Sequence, residues 1–415
     1  MTMTRRRMLA KGGAAALRGL ALASRFLFIV TAAFFMTPEA FGIYGLIAAS
    51  SFVIVQLAGI EAHAVVMRRV AVTLAGSARD DRPFYGRFVI LSSAFAFGGG
   101  VSLGLAFGWP APITLLAGAI VALEYAGVEA TRILAAEKRP TLALCTASLR
   151  VVPWALGIPA LGALGGLDAW WSLEVVLSAW AVCGAAALAM LAPVRARYAR
   201  PLPGSFSGWY GTILRRAPRW VVIALAPRFL ESGVRIVPGA MLGEAEVGRF
   251  VFLATLAGIG PIAVRAVVEP YYFAAMLDPA TGRAARQGFA RATLGVIALG
   301  TLASVGGWWA ATGPGGKDLG DNSLPTLFAL VAAAIATSLA QVAHYGLYAG
   351  QRDAEIFSAS LATLLAGVPL VAVLTAVHGT LGTAIGTALA AVLLLVLKSR
   401  RAAMPPPARA RFQTW

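Results

Sequence analysis

Stretches of about twenty consecutive apolar residues recur from one end of this 415-residue chain to the other. At ~1.5 Å per helical residue, each matches the ~30 Å hydrocarbon core of a bilayer. In lipid every backbone amide needs an internal partner, so such segments must be membrane-spanning helices. The chain is 59% hydrophobic and 13% charged, where a soluble domain would carry nearer a quarter of charged residues. The sequence therefore predicts an all-α polytopic membrane protein.

Twelve spans are expected, at residues 14–36, 41–66, 88–108, 111–131, 141–166 and 169–192, and then at 220–242, 248–275, 292–312, 325–349, 354–377 and 380–397. Orientation follows from the basic residues, because cytoplasmic loops hold the excess of lysine and arginine. Of 35 such residues, 27 fall in segments on one side of this arrangement; only Arg249, at the very start of the eighth span, and Lys317 lie at the other. Both termini are then cytoplasmic. The formal charge of +17 is accounted for by this asymmetry, without a nucleic-acid partner.

The longest cytoplasmic segment lies between the sixth and seventh spans, so four parts are expected. Residues 1–192 form an N-terminal six-helix lobe and 193–219 an interfacial connector. Residues 220–397 form a C-terminal six-helix lobe, and 398–415 a basic, proline-rich tail. The halves echo each other where each second helix opens. "PEAFGIYGLIAA" aligns with "EAEVGRFVFLAT", setting Phe41 on Val247, Gly42 on Gly248 and Tyr44 on Phe250. Two six-span halves share one orientation, which implies parallel repeats around a central cavity.

The N-terminus resembles a twin-arginine signal peptide. However, Arg18 interrupts its apolar core, and cleavage after Ala23 would leave too short a span, so the first helix is expected to remain. Cys145 and Cys183 read as small buried hydrophobes. His63 and His344 read as satisfied polar groups rather than proton relays, and Glu129 with Arg132 as a structural ion pair. No metal-ligand spacing, phosphate loop or nucleophile motif occurs, and no outer turn is long enough for a catalytic domain. A membrane glycan polymerase or ligase would need such a turn. A transporter without cofactor or metal is expected, not an enzyme.

Charge inside the spans is the chemical signal. Arg18, Arg25, Arg150, Arg228, Arg235 and Arg265 lie within them, against the deeper acids Glu61, Glu124, Glu231 and Glu269. An intramembrane cation costs at least ~2.5–3.5 kcal/mol, so an excess of them calls for an anionic ligand or a hydrated cavity. Arg18 and Arg25 are seven residues apart, on nearly one helix face, about 10 Å apart along the axis. Arg228, Glu231 and Arg235 share a face at i, i+3 and i+7, and Arg265 with Glu269 at i, i+4. The six arginines are the expected substrate-binding set, and the four acids balance charge or carry coupling ions.

Together, six plus six spans, first-helix arginines, "MTPEAFGIYGLI" and its echo "EAEVGRFVFLAT" resemble the polysaccharide (O-antigen type) flippases. These belong to the multidrug/oligosaccharidyl-lipid/polysaccharide exporter superfamily. The resemblance covers the whole topology, its sequence-specific part being residues 14–70 and 220–255. It implies a bacterial inner-membrane flippase for an undecaprenyl-diphosphate-linked oligosaccharide, working by alternating access between two lobes. Membrane lipids and other polysaccharide-assembly proteins are the further partners it brings. Arg18, Arg25, Arg228 and Arg235 would then meet the diphosphate and acidic sugars, a task suited to the planar guanidinium fork. The alternative is an ion-coupled small-molecule or multidrug antiporter of the same superfamily, which would favour acids over arginines.

Overall fold

A computed structural model describes residues 3–63, 66, 80–165, 170–201, 204–215, 217–269, 272, 275–276, 282–313 and 319–404. Among the described residues all regular structure is helical. The chain divides into two compact units, residues 1–221 and 222–415.

In unit one, α1 (Met3–Phe35) and α2 (Pro38–Gly59) are joined at Met36–Thr37, and the Thr37 hydroxyl caps α2 by accepting from the Ala40 amide at 3.2 Å. Then follow α3 (Arg82–Ala106), α4 (Ala111–Ala136), α5 (Pro140–Leu149), α6 (Val152–Gly165), α7 (Leu173–Leu188), α8 (Ala192–Tyr198) and α9 (Phe206–Leu214). Unit two holds most of α10 (Ala217–Glu231), a 3-10 turn Gly233–Arg235, α11 (Ile236–Leu242), α12 (Glu244–Ala257) and α13 (Ile259–Ala263). A π turn Val264–Val268, α14 (Gly282–Thr312), α15 (Ser323–Ala349) and α16 (Asp353–Ala403) complete it.

Among the described residues eight helical stretches are long and apolar enough to cross a membrane, with shorter apolar helices at Gly19–Phe35 and Gly233–Leu242. The last of the eight is two crossings. Gly379, at φ 58° and ψ −137°, leaves the helical region and reverses the chain inside α16. The second span of unit two supplies the remaining crossing, broken into α12, α13 and the π turn. The expected set of about twelve spans is thus present, and what differs is where they break.

The breaks have local causes. The second span, expected as one run to residue 66, leaves helix at Gly59, because Ile60 and Glu61 take left-handed φ values of 38° and 53°. This turns the Glu61 carboxylate back towards Gln56 Nε2 and His63 Nε2. The fifth span breaks between α5 and α6, where Pro153 has no amide for the Leu149 carbonyl. The seventh breaks at Ser232–Arg235, where Pro238 leaves the Val234 carbonyl without its donor. Pro261 does the same to Ala257 in the eighth. The kink expected at Pro270 lies outside the described residues. Cys145 and Cys183 are unpaired and half-buried rather than buried.

Without a hydrophobic force between helices in lipid, close packing of small residues holds the hairpins. A Cβ on Gly100 of α3 would lie 2.7 Å from the Gly118 Cα of α4, and one on Gly300 of α14 would lie 2.6 Å from the Gly260 Cα. Ser304 Oγ donates to the Leu256 carbonyl at 2.6 Å beside the second contact. In α16 the arms meet through Thr375 and Thr383, whose hydroxyls are 2.9 Å apart. A Cβ on Gly382 would lie 1.8 Å from the Leu374 carbonyl oxygen. Gly382→Ala must therefore open the hairpin. We expect loss of monodisperse protein on size exclusion, whereas Gly295→Ala, with no atom within 4 Å, should elute as wild type.

The two repeat segments also bury matching positions. Phe41 and Tyr44 are buried on α2, as Val247 and Phe250 are on α12. The connector is partly helical, and α9 is tied to unit one. Trp209 packs on Phe84 and Phe88, with ring centroids 5.7 and 6.1 Å away.

Candidate functional site

Each unit brings some of the expected intramembrane arginines and acids into an arginine–carboxylate cluster. In unit one, the α5–α6 break leaves Arg150 at a helix end. Its carbonyl accepts from Trp154 Nε1 at 2.7 Å, and its guanidinium turns across to α4. There Nη2 donates to Glu124 Oε2, while Trp180 Nε1 of α7 donates to Oε1 at 2.8 Å. The side chains are only 11% and 17% exposed, so this is a buried pair with both carboxylate oxygens engaged. Gly127, one turn along α4 from Glu124, makes the room. A Cβ there would lie 2.5 Å from Arg150 Cδ.

Around the pair, Phe28, Tyr44, Trp154 and Trp180 form one aromatic layer. Phe28–Trp154 centroids are 4.7 Å apart, Trp154–Trp180 5.5 Å and Phe28–Tyr44 5.3 Å. Arg25 enters on α1 with its guanidinium carbon 5.3 Å from the centre of the Phe52 ring. Its charge acts on Glu124, yet among the described residues it has no carboxylate within 4.0 Å. Two cations thus face one acid, and Arg150 holds that acid. The side chain of Arg18 lies outside the described residues.

Glu61 is not brought to this cluster. Besides Gln56 and His63, its charge acts on Arg132, whose Nη1 donates to Glu129 Oε1 at 2.5 Å. Tyr85 Oη donates to the other oxygen of Glu129. Nearby, Glu137 receives Arg82 Nη1 at 3.3 Å, Arg197 Nη1, and Tyr198 Oη at 3.3 Å. Asp80 precedes these spans and pairs with Arg82 at 2.7 Å. Burial works to raise its pKa, but the Arg82 hydrogen bonds and charge, helped by Arg200, hold it below the usual carboxylate value. The stabilisation from Asp80 is present above its unfolded pKa of ~3.9 and is lost as pH falls through its lower folded value. Melting temperatures at pH 5 and pH 3 should therefore differ less in Asp80→Asn than in wild type.

In unit two, Glu231 at the end of α10 bridges two helices. Oε1 meets Arg265 Nη2 at 2.5 Å, and Oε2 meets Arg228 Nη1 at 3.7 Å. The i, i+4 pairing of Arg265 with Glu269 does not form. Both lie at the π turn, whose wider winding takes them off one face, and Glu269 instead accepts from Tyr345 Oη of α15. Arg235 sits in the 3-10 turn after Glu231. Two arginines on one acid leave the Glu231 cluster cationic as well.

Sequence reasoning missed the aromatic layer, although Trp154 and Trp180 sit in spans already singled out. It also missed Lys398, which is 1% exposed on α16. Among the described residues no group of three His, Cys, Asp or Glu could hold a metal ion.

No protein-family model matches the sequence, and no curated protein is significantly similar to it. Solved structures do share the fold. One is an inward-facing multidrug resistance MATE family transporter of the MOP superfamily, at TM-score 0.66 and 12% identity, covering 94% of each chain. The lipid II flippase MurJ, inward closed, matches at TM-score 0.59 and 12% identity over 94% of this chain and 86% of its own. The Vibrio cholerae MATE transporter VcmN, as a mutant, matches at 0.57 and 15% over 94% and 97%. The chain has the fold of MOP-superfamily transporters.

Proposed function

We propose that the protein is a flippase that carries an undecaprenyl-diphosphate-linked, acidic oligosaccharide across the bacterial inner membrane by alternating access. One observation carries the reading: the six intramembrane arginines outnumber the deeper acids Glu61, Glu124, Glu231 and Glu269, and Arg25 is left without an ion pair among the described residues. An anionic ligand resolves that excess. Guanidinium forks bind diphosphate oxygens bidentately, and such charge-assisted bonds strengthen where water is scarce. In unit one the residue offered to an anion is Arg25; in unit two, taken by itself, they are Arg228, Arg235 and Arg265. Arg150 is held by Glu124 and shapes its surroundings, and Glu231 and Glu269 hold unit two's polar groups in place. That the shared fold includes a lipid II flippase is in keeping with a lipid-linked substrate.

The test uses purified protein in liposomes with a fluorescent undecaprenyl-diphosphate oligosaccharide, following its movement between leaflets. Protein-dependent movement supports the proposal. Absence of movement, together with uptake of a small cationic drug against a proton gradient, would favour the alternative, an ion-coupled small-molecule or multidrug antiporter.

A further inference from the structure

Lys398 lies where the last apolar run turns polar, a place from which lysine ordinarily reaches out to water. Here it is buried instead, at 1% exposure. Among the described residues its hydrogen-bond partner is His344 Nδ1 on α15, 3.4 Å from Nζ. An ammonium donates three hydrogens and accepts none. Nδ1 is therefore the acceptor, and His344 is neutral with its proton on Nε2. The imidazole is fixed in that attitude, stacked on Tyr348 at 6.3 Å and 9° and edge-on to Tyr345 at 5.7 Å.

The carboxylate whose charge reaches Lys398 is Glu231, and it is already divided between Arg265 and Arg228. The elements packed against α16 add few other ionisable groups. The 3-10 turn carries Arg235, α11 carries none, and α12 carries Glu244, Glu246 and Arg249 in its first turns. On α16 itself Arg401 is directed to the Glu355 carbonyl and Ser358. Arg228, Arg265 and Lys398 thus share one acid. Arginine does not give up its proton, so the proton this group can exchange is the one on Lys398. A second proton, on His344, would set two cations 3.4 Å apart.

We infer that Lys398 and His344 form a buried proton-binding site whose occupancy is linked, through Glu231, to anion occupancy of Arg228 and Arg265. An anion on the arginines competes with Glu231 for them and frees its charge for Lys398, which then keeps its proton. When the anion leaves, Glu231 returns to the arginines and the Lys398 proton passes to water, leaving a neutral amine. Linkage makes the effect reciprocal. The inference rests on the anion-binding role proposed above for these arginines.

The test is NMR titration of [ε-13C]lysine-labelled protein in nanodiscs, with Lys398 identified by the signal lost in Lys398→Met. We expect Glu231→Gln to move the Lys398 midpoint by about one pH unit, the size of a close charge partner's effect. His344→Gln should also move it, while the Lys138 signal stays in place. Inorganic pyrophosphate should move the wild-type midpoint in the sense opposite to Glu231→Gln. Equal midpoints in wild type and both variants would overturn the site, and His344→Gln carries the test alone should Glu231→Gln not fold. A midpoint that responds to both substitutions but not to pyrophosphate keeps the proton site and removes the anion role of the arginines.

Discussion

Replacing Arg150 by alanine is expected to cost about 3–5 kcal/mol of stability, enough to leave little folded protein at physiological temperature. The substitution does not merely delete an ion pair. It strands the Glu124 carboxylate, 17% exposed, inside a layer of Trp154, Trp180, Tyr44 and Phe28, with the Trp180 indole as its remaining hydrogen-bond donor. Desolvation of a carboxylate that has lost its close partner and keeps only the more distant Arg25 charge dominates that figure, so removing the charge itself should recover most of it. The double variant Arg150→Ala/Glu124→Gln should melt several degrees above Arg150→Ala alone. Thermal unfolding of the four proteins of the cycle, in detergent, measures the coupling. Melting of Arg150→Ala at the wild-type temperature would show that the pair contributes nothing to the fold.

Arg25→Ala should behave in the opposite way. Arg25 has no carboxylate within 4.0 Å among the described residues and rests on Phe52. Its removal takes away an under-compensated intramembrane cation, and the melting temperature is expected to stay or rise. Transport should fall by about 10- to 150-fold, the equivalent of about 1.5–3 kcal/mol for a charge-assisted hydrogen bond to phosphate. Leaflet-to-leaflet movement of the fluorescent lipid-linked oligosaccharide, measured at matched protein levels, reads this directly. Undiminished movement would take Arg25 out of the binding site. Arg25 and Arg150, both expected in the binding set from sequence, are thus separated by one measurement of stability and one of transport.

Much of the fold was legible because lipid reduces the choices. A run of apolar residues near span length has helix as its solution whatever its neighbours do, so the number of crossings and the all-helical class follow from composition along the chain. Even the reversal at Gly379 was legible, as a gap between two adjacent apolar runs. The candidate arginines and acids were legible for the same reason, since a charge inside such a run stands out against its surroundings.

Partnership was not legible. The i, i+4 rule pairs Arg265 with Glu269, but that rule assumes an unbroken α-helix, and the π turn at Val264–Val268 cancels it. Glu231 reaches a residue 34 positions away, a distance on which helical periodicity is silent. Nor does the sequence say that Glu61 turns away at a left-handed break, since nothing in "QLAGIEAHA" forbids a helix. Lys398 reads as a tail residue until α15 places His344 against it.

What the sequence determined by itself, then, is the set of spans and the surplus of buried positive charge, because both depend on the contrast between a residue and lipid. Which cation holds which carboxylate, and therefore which one is left for a ligand, was decided only by tertiary structure. Ion pairing depends on distances of a few ångströms between helices, set by where glycine lets them approach and where proline or a left-handed residue breaks them.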